Sequence, residues 1–211
     1  MTRWVCLDVG EVLIDETRVW STWADVLGVP RFTFMALLGA ATADGGDHRA
    51  VFERLGIAGW ADHAPEVNRR YGGFTAADLY PDALPTIAAV RAAGLAVAVI
   101  GNQPARRHDE LRAVGVEPDV MVMSETLGVE KPEPEFFGGA LAAMGRPAPA
   151  DVIYVGDRID NDVRPAAAAG LHTAWLRRGP WGLLQSPGAA APSLVLDRLD
   201  ELPGRLAQLW S

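Results

Sequence analysis

The chain has 211 residues, which suits one core domain carrying a modest insertion. Nineteen Lys and Arg against 27 Asp and Glu leave a formal charge of −8, which argues against a nucleic-acid binder with its basic face. The single cysteine, Cys6, rules out an intramolecular disulfide, and no stretch approaches the ~20 apolar residues of a membrane span.

An acidic chain can still bind a small anion, because one local basic group and a metal suffice. The apolar run at the N-terminus, Trp4 to Leu7, is too short for a signal peptide, so a cytoplasmic location with no membrane partner is expected. That run reads as a first strand, with Cys6 a small buried residue in it. From Asp15 to Leu79 no strand pattern occurs. Val19, Trp20, Trp23, Val26 and Leu27 instead make one helical face, and further helices are expected near Phe32–Leu38, His48–Leu55 and Pro65–Tyr71. Trp20, Trp23, Phe32 and Phe34 are expected to form the core of this helical insertion.

Beyond it, strand and helix alternate. Leu95–Ile100, Val120–Met123, Val152–Val155 and Thr173–Leu176 are short, continuously apolar runs, and Leu194–Leu196 adds an edge strand. Continuous rather than alternating apolarity marks strands buried on both faces. Helices are expected around Leu84–Val90, Phe136–Met144 and Asp162–Ala169, closed by Gly94, Gly145 and Gly170. The pattern predicts an α/β fold, a doubly wound parallel sheet, with the core at residues 1–14 and 80–211 and a helical cap at 15–79.

Open parallel sheets bind ligands beyond the carboxyl ends of their strands. The residues following each strand here are Asp8-Val9-Gly10-Glu11, Gly101-Asn102-Gln103, Glu130-Lys131-Pro132 and Gly156-Asp157-Arg158-Ile159-Asp160-Asn161-Asp162. Carboxylates, one lysine and small residues thus converge on one edge. Such carboxylates ionise together only beside a compensating cation, and hard oxygen ligands select Mg²⁺ or Ca²⁺. A lysine adds a point charge suited to phosphate. Asp160, Arg158 and the pair Arg177-Arg178 read as solvated or surface groups.

Three motifs in this order, Leu7–Asp15, Glu130–Phe137 and Tyr154–Val163, resemble those of the haloacid-dehalogenase-like (HAD) superfamily over nearly the whole chain. The helical insertion resembles a C1-type cap. The resemblance implies a Rossmann-like core and a Mg²⁺-dependent phosphatase acting on a small phosphorylated metabolite. It implies Asp8 as covalent nucleophile and Lys131 as the catalytic charge balancing Asp8 and the phosphate. It also implies Asp8, the Gly10 carbonyl, Asp157 and Asp162 as the metal site, and Gly101, Asn102 and Lys131 as the phosphate site.

Two positions depart from that pattern. Gly10 stands where the family's phosphatases carry an Asp acting as general acid and base, worth ~10²–10⁴-fold. Gly101 stands where Ser or Thr is usual, although glycine still permits close backbone approach. The departures predict either a preference for acidic leaving groups or another proton donor, with Glu11, His48 and His63 in view. A dehalogenase attacking carbon, and a binding protein without turnover, are the alternative readings.

Overall fold

A computed structural model describes residues 2–188 and 191–210. Six parallel strands form one sheet: β1 (Trp4–Leu7), β2 (Ala96–Gly101), β3 (Val120–Met123), β4 (Val152–Gly156), β5 (His172–Leu176) and β6 (Leu194–Leu196), in the order β3-β2-β1-β4-β5-β6. All six runs expected to be strands are strands. Their continuous apolarity has a direct cause, because successive side chains point to opposite faces and both faces are covered. Val5, Leu7, Val97, Val99, Ile153 and Val155 pack into one hydrophobic cluster, whereas Cys6, Ala98, Ile100, Val152 and Tyr154 pack into the other.

Helix α5 (Ala83–Ala92), with Ala83, Ile87 and Val90 turned inward, joins the first cluster. Helix α8 (Pro134–Ala143) joins the second through Phe136, Phe137 and Ala140. Pro134 opens α8, where its missing N–H costs nothing. Cys6 is buried, its Sγ lies 3.3 Å from Met144 Sδ, and burial pushes its thiol up, so it is an inert packing residue.

Between β1 and α5 lie α1 (Thr17–Val26), α2 (Arg31–Ala43), α3 (Ala50–Arg54) and α4 (Ala64–Tyr71), with no strand among them. The chain leaves and re-enters the core at one point. Ile14 forms an antiparallel bridge with Leu79, Asp15 N–H donates to Asp78 O (2.8 Å), and Tyr80 N–H donates to Leu13 O (2.9 Å). Arg18 clasps this junction: its Nε donates to Asp78 Oδ1 (2.7 Å) and its Nη1 to Tyr71 O (2.6 Å).

Phe34, Leu38, Val51 and Phe52 form the core of the insertion with Trp20, Trp23 and Trp60, and Phe52 stacks on Trp60 with centroids 4.3 Å apart. Phe32 corrects the sequence reading: it is 87% exposed. The inward stripe of α2 runs through Phe34, Leu38 and Ala41, and Phe32, two residues before Phe34, falls on the opposite side of the helix.

One member of this cluster comes from a distant part of the chain. Trp181, from α10 (Gly179–Leu184) after β5, is buried among the insertion's aromatic residues. Among the described residues no single helix is long and apolar enough to cross a membrane.

Candidate active site

Strand order reverses direction at β1 and β4, which lie side by side, so their carboxyl ends open a crevice where loops diverge. Asp8 follows β1 and is fixed there by its own N–H, which donates to Val155 O (3.0 Å). Asp157 follows β4, and its carbonyl accepts the Trp175 Nε1–H bond (2.9 Å). The segment after Asp157 is not a plain α-helix. Ile159–Val163 form a π-helical turn before α9 (Arg164–Ala168), and this turn swings Asp162 back under the sheet edge. Asp162 is fully buried, and its Oδ2 accepts the Arg158 N–H bond (3.0 Å). A side chain at Gly156 would collide with the Asp162 carboxyl, so glycine is required there.

Lys131 joins these groups. It is 3% exposed, and its Nζ donates to Asp8 Oδ2 (2.8 Å) and to Asp162 Oδ1 (2.6 Å). Burial works to neutralise the ammonium, but the carboxylates of Asp162 and Asp8 outweigh it and hold the lysine charged. Asp8, Asp157 and Asp162 bring carboxylate oxygens within 4.8 Å of one another.

One ammonium cannot balance three buried carboxylates. Burial raises the Asp8 carboxyl to about 6 against the pull of Lys131. Burial and the neighbouring Asp162 and Asp8 push Asp157 well above the usual carboxylate range. A hard cation bound by these oxygens would relieve that crowding, so the donor set fits Mg²⁺.

Asn102 lines the crevice beside Asp8 and Lys131. Its side-chain amide forms a reciprocal pair with the Lys131 backbone, Lys131 N–H to Oδ1 (2.7 Å) and Nδ2 to Lys131 O (2.9 Å). It therefore splices β2 to the lysine loop and sets the reach of Lys131. Gly101 is a steric requirement as well as a lost hydroxyl, because a Cβ there would lie 2.6 Å from Asp8 Oδ1 and 3.1 Å from Val9 Cγ2. Gly101→Ala is expected to displace Asp8 by several tenths of an ångström and to cut kcat/KM about 10²-fold with the fold intact. Steady-state kinetics beside a circular dichroism spectrum checks this, and undiminished activity would mean that Asp8 tolerates the displacement.

Glu11 adopts φ 53°, a left-handed conformation rare outside glycine. Its carboxylate secures the turn, with Oε2 accepting from Tyr80 Oη–H (2.5 Å) and Oε1 from Glu16 N–H (3.0 Å). Both oxygens are thereby committed to the loop. His48 is half-buried on the wall of the crevice, tilted against Trp20 at 5.6 Å, and burial lowers its pKa. His63 is exposed and does not line the crevice.

Arg158 pairs with Asp160 (2.7 Å), as two neighbouring loop residues should. Arg178 corrects the expectation of a solvated pair: it is largely buried, ion-paired with Asp82, and donates Nη1–H to Val12 O (3.1 Å). Arg177 remains half-exposed.

The crevice has a volume of about 610 Å³, walled by Trp20 and His48 from the insertion and by Arg107, Arg158 and Trp181 from the core. Two of its charged groups escaped the sequence reading. Arg107, at the start of α6 (Arg107–Ala113), is buried with its guanidinium over Phe74 (4.2 Å) and paired with Glu110. Glu16 points into the crevice from the start of the insertion, and burial raises its carboxyl to about 7. The only sequence signal for Glu16 was its place directly after the first motif.

Comparison with known proteins agrees with this geometry. A family model described as haloacid dehalogenase-like hydrolase matches residues 2–170. The chain belongs to the HAD superfamily of hydrolases. It is 35% identical over 127 residues to the glyceraldehyde 3-phosphate phosphatase of Methanopyrus kandleri, a match covering 58% of this chain and 54% of that one. The match thus spans about half the length of that relative. Among solved structures, the HAD hydrolase YfnB from Bacillus subtilis superposes with a TM-score of 0.74 at 18% identity, covering 97% of this chain and 98% of that one. The L-2-haloacid dehalogenase RSc1362 superposes with a TM-score of 0.74 at 19% identity, covering 98% and 99%. At such identities the two structures share the HAD fold with this chain, whichever chemistry they perform.

Proposed function

We propose that this HAD hydrolase is a Mg²⁺-dependent phosphatase that removes phosphate from a small phosphorylated metabolite through an aspartyl-phosphate on Asp8. One observation carries the reading. Three buried carboxylates cluster around a single lysine that pairs with Asp8 and Asp162, and no side-chain or backbone donor among the described residues meets the Asp157 carboxylate. That imbalance suits a divalent cation and an incoming dianion together. A dehalogenase attacking carbon has no use for the third, uncompensated acid. The kinship with a protein named glyceraldehyde 3-phosphate phosphatase supports the same substrate class.

Asp8, the Gly10 carbonyl, Asp157 and Asp162 would hold the ion, which when bound supplies Lewis-acid stabilisation of the phosphoryl oxygens. The chain's own groups do the rest. The Asp8 carboxylate attacks phosphorus in line as the bond to the leaving oxygen breaks. Lys131 balances the charge gathered on Asp8 and the phosphoryl group. The Gly101 backbone, bare of a side chain, lets the phosphoryl group come close. Asn102 serves this phosphate site by holding Lys131 in position. The insertion acts as a cap that excludes bulk water and selects the substrate.

Phosphate release from a panel of phosphorylated metabolites tests the reading. Release is expected to fall to background on chelation and to return with added Mg²⁺. Release that ignores chelation, or halide release from 2-haloacids in place of phosphate release, would overturn it.

A further inference from the structure

Departure of an alkoxide from phosphorus needs a proton, and the residue two positions beyond the nucleophile, Gly10, has none to give. The space beside Gly10 is nonetheless filled. A Cβ built on Gly10 would lie 2.5 Å from Glu16 Oε1 and 2.9 Å from Glu16 Cδ. The carboxyl of Glu16 therefore occupies the volume that a side chain at position 10 would take, reaching it from the first turn of the insertion instead of from the nucleophile loop.

We propose that Glu16 is the general acid and base of this site, donating a proton to the leaving oxygen and taking one from the attacking water. The assignment rests on the phosphatase reading above.

The surroundings of Glu16 suit that role. Its Oε2 accepts the Trp20 Nε1–H bond (3.2 Å), while Oε1 meets no donor among the described residues, and the residue lines the crevice that holds Asp8 and Lys131. Its backbone N–H is pinned by Glu11 Oε1 (3.0 Å), which fixes the start of the side chain. Glu11, the nearer acid in sequence, has both oxygens engaged by Tyr80 and by Glu16 itself.

In the first step the Asp8–phosphorus bond forms, the bond to the leaving oxygen breaks, and the Glu16 proton passes to that oxygen. In the second, the Glu16 carboxylate takes a proton from water as the water oxygen bonds to phosphorus. The Asp8–phosphorus bond then breaks, which returns Asp8 as carboxylate, Glu16 as acid, and free phosphate. Because Glu16 belongs to the insertion, the proton donor comes on the same segment as two of the crevice walls, Trp20 and His48.

The test compares Glu16→Gln with the wild-type chain on an alkyl phosphate and on p-nitrophenyl phosphate, whose leaving group needs little protonation. The expected loss in kcat/KM is about 10²–10⁴-fold on the alkyl ester and no more than about tenfold on the aryl ester. With its water-activating base gone, Glu16→Gln should also release one equivalent of p-nitrophenol in a burst ahead of slow turnover. A double variant, Gly10→Asp with Glu16→Ala, puts a carboxyl back into the vacated volume and should recover part of the alkyl activity. Gly10→Asp alone should gain no alkyl activity over the wild-type chain, since Glu16 already fills that space. Equal losses on both esters, or an undiminished alkyl rate in Glu16→Gln, would overturn the assignment while leaving the phosphatase reading intact. Absence of phosphate release by the wild-type chain would sink both.

Discussion

Replacing Asp8 with asparagine is expected to lower phosphate release by about 10⁴–10⁶-fold, the scale on which an enzyme loses its nucleophile. The substitution changes almost no volume. Lys131 Nζ keeps its 2.6 Å bond to Asp162, and the backbone bond from Asp8 N–H to Val155 O does not involve the side chain. The fold should therefore survive. Stability should move the other way from activity, because the variant removes one of three crowded buried carboxylates. Without metal the melting temperature should equal or exceed that of the wild type. Phosphate release and thermal melts on one preparation check both halves. A variant that melts early would show that activity fell through unfolding, and a variant that still turns over would remove Asp8 from the role of nucleophile.

Lys131→Met should have the opposite effect on stability. Lys131 is the sole side-chain cation bonded to this cluster among the described residues, at 2.8 Å from Asp8 and 2.6 Å from Asp162. Breaking a buried ion pair from one side strands its partners, at a cost of about 3–5 kcal/mol. In a chain of 211 residues, where 1 kcal/mol moves the melting temperature by about 2–4 °C, the metal-free variant should melt roughly 6–20 °C early. Saturating Mg²⁺ should recover part of that shift, since a cation binding only the folded state stabilises it. The variant should also lose catalysis, because nothing then balances the charge on phosphate. Calorimetry with and without Mg²⁺ decides the matter, and an unchanged metal-free melting temperature would mean that the carboxylates need no cation.

Much of this was legible in the sequence, for physical reasons. A strand buried on both faces cannot hide its apolar run, so Cys6, Ala98 and Tyr154 were as visible as Val5, Val99 and Val155. Asp8, Lys131, Asp157 and Asp162 follow strands directly or sit within short motifs, so their convergence could be read from topology. What escaped depended on partners far away in the chain. Arg178 looked solvated because Asp82, 96 residues distant, could not be foreseen as its partner. Phe32 and Phe34 looked alike because periodicity leaves the phase of a short helix open by a residue or two. The pairing of Asn102 with the Lys131 backbone was hidden because it crosses between loops. Glu16 was overlooked because a role defined by volume, the empty side of Gly10, has no signature in residue order.

Trp181 carries a consequence for how the molecule comes apart. Its side chain belongs in sequence to the sheet region and in space to the aromatic cluster of Phe34, Phe52 and their neighbours. The helical segment therefore does not own a complete hydrophobic nucleus, and the sheet region does not end in a wettable surface. Melting of either one uncovers a large indole that the other was keeping dry. The two parts are therefore expected to unfold in a single cooperative event, with no separate melting transition at the boundary visible in the sequence.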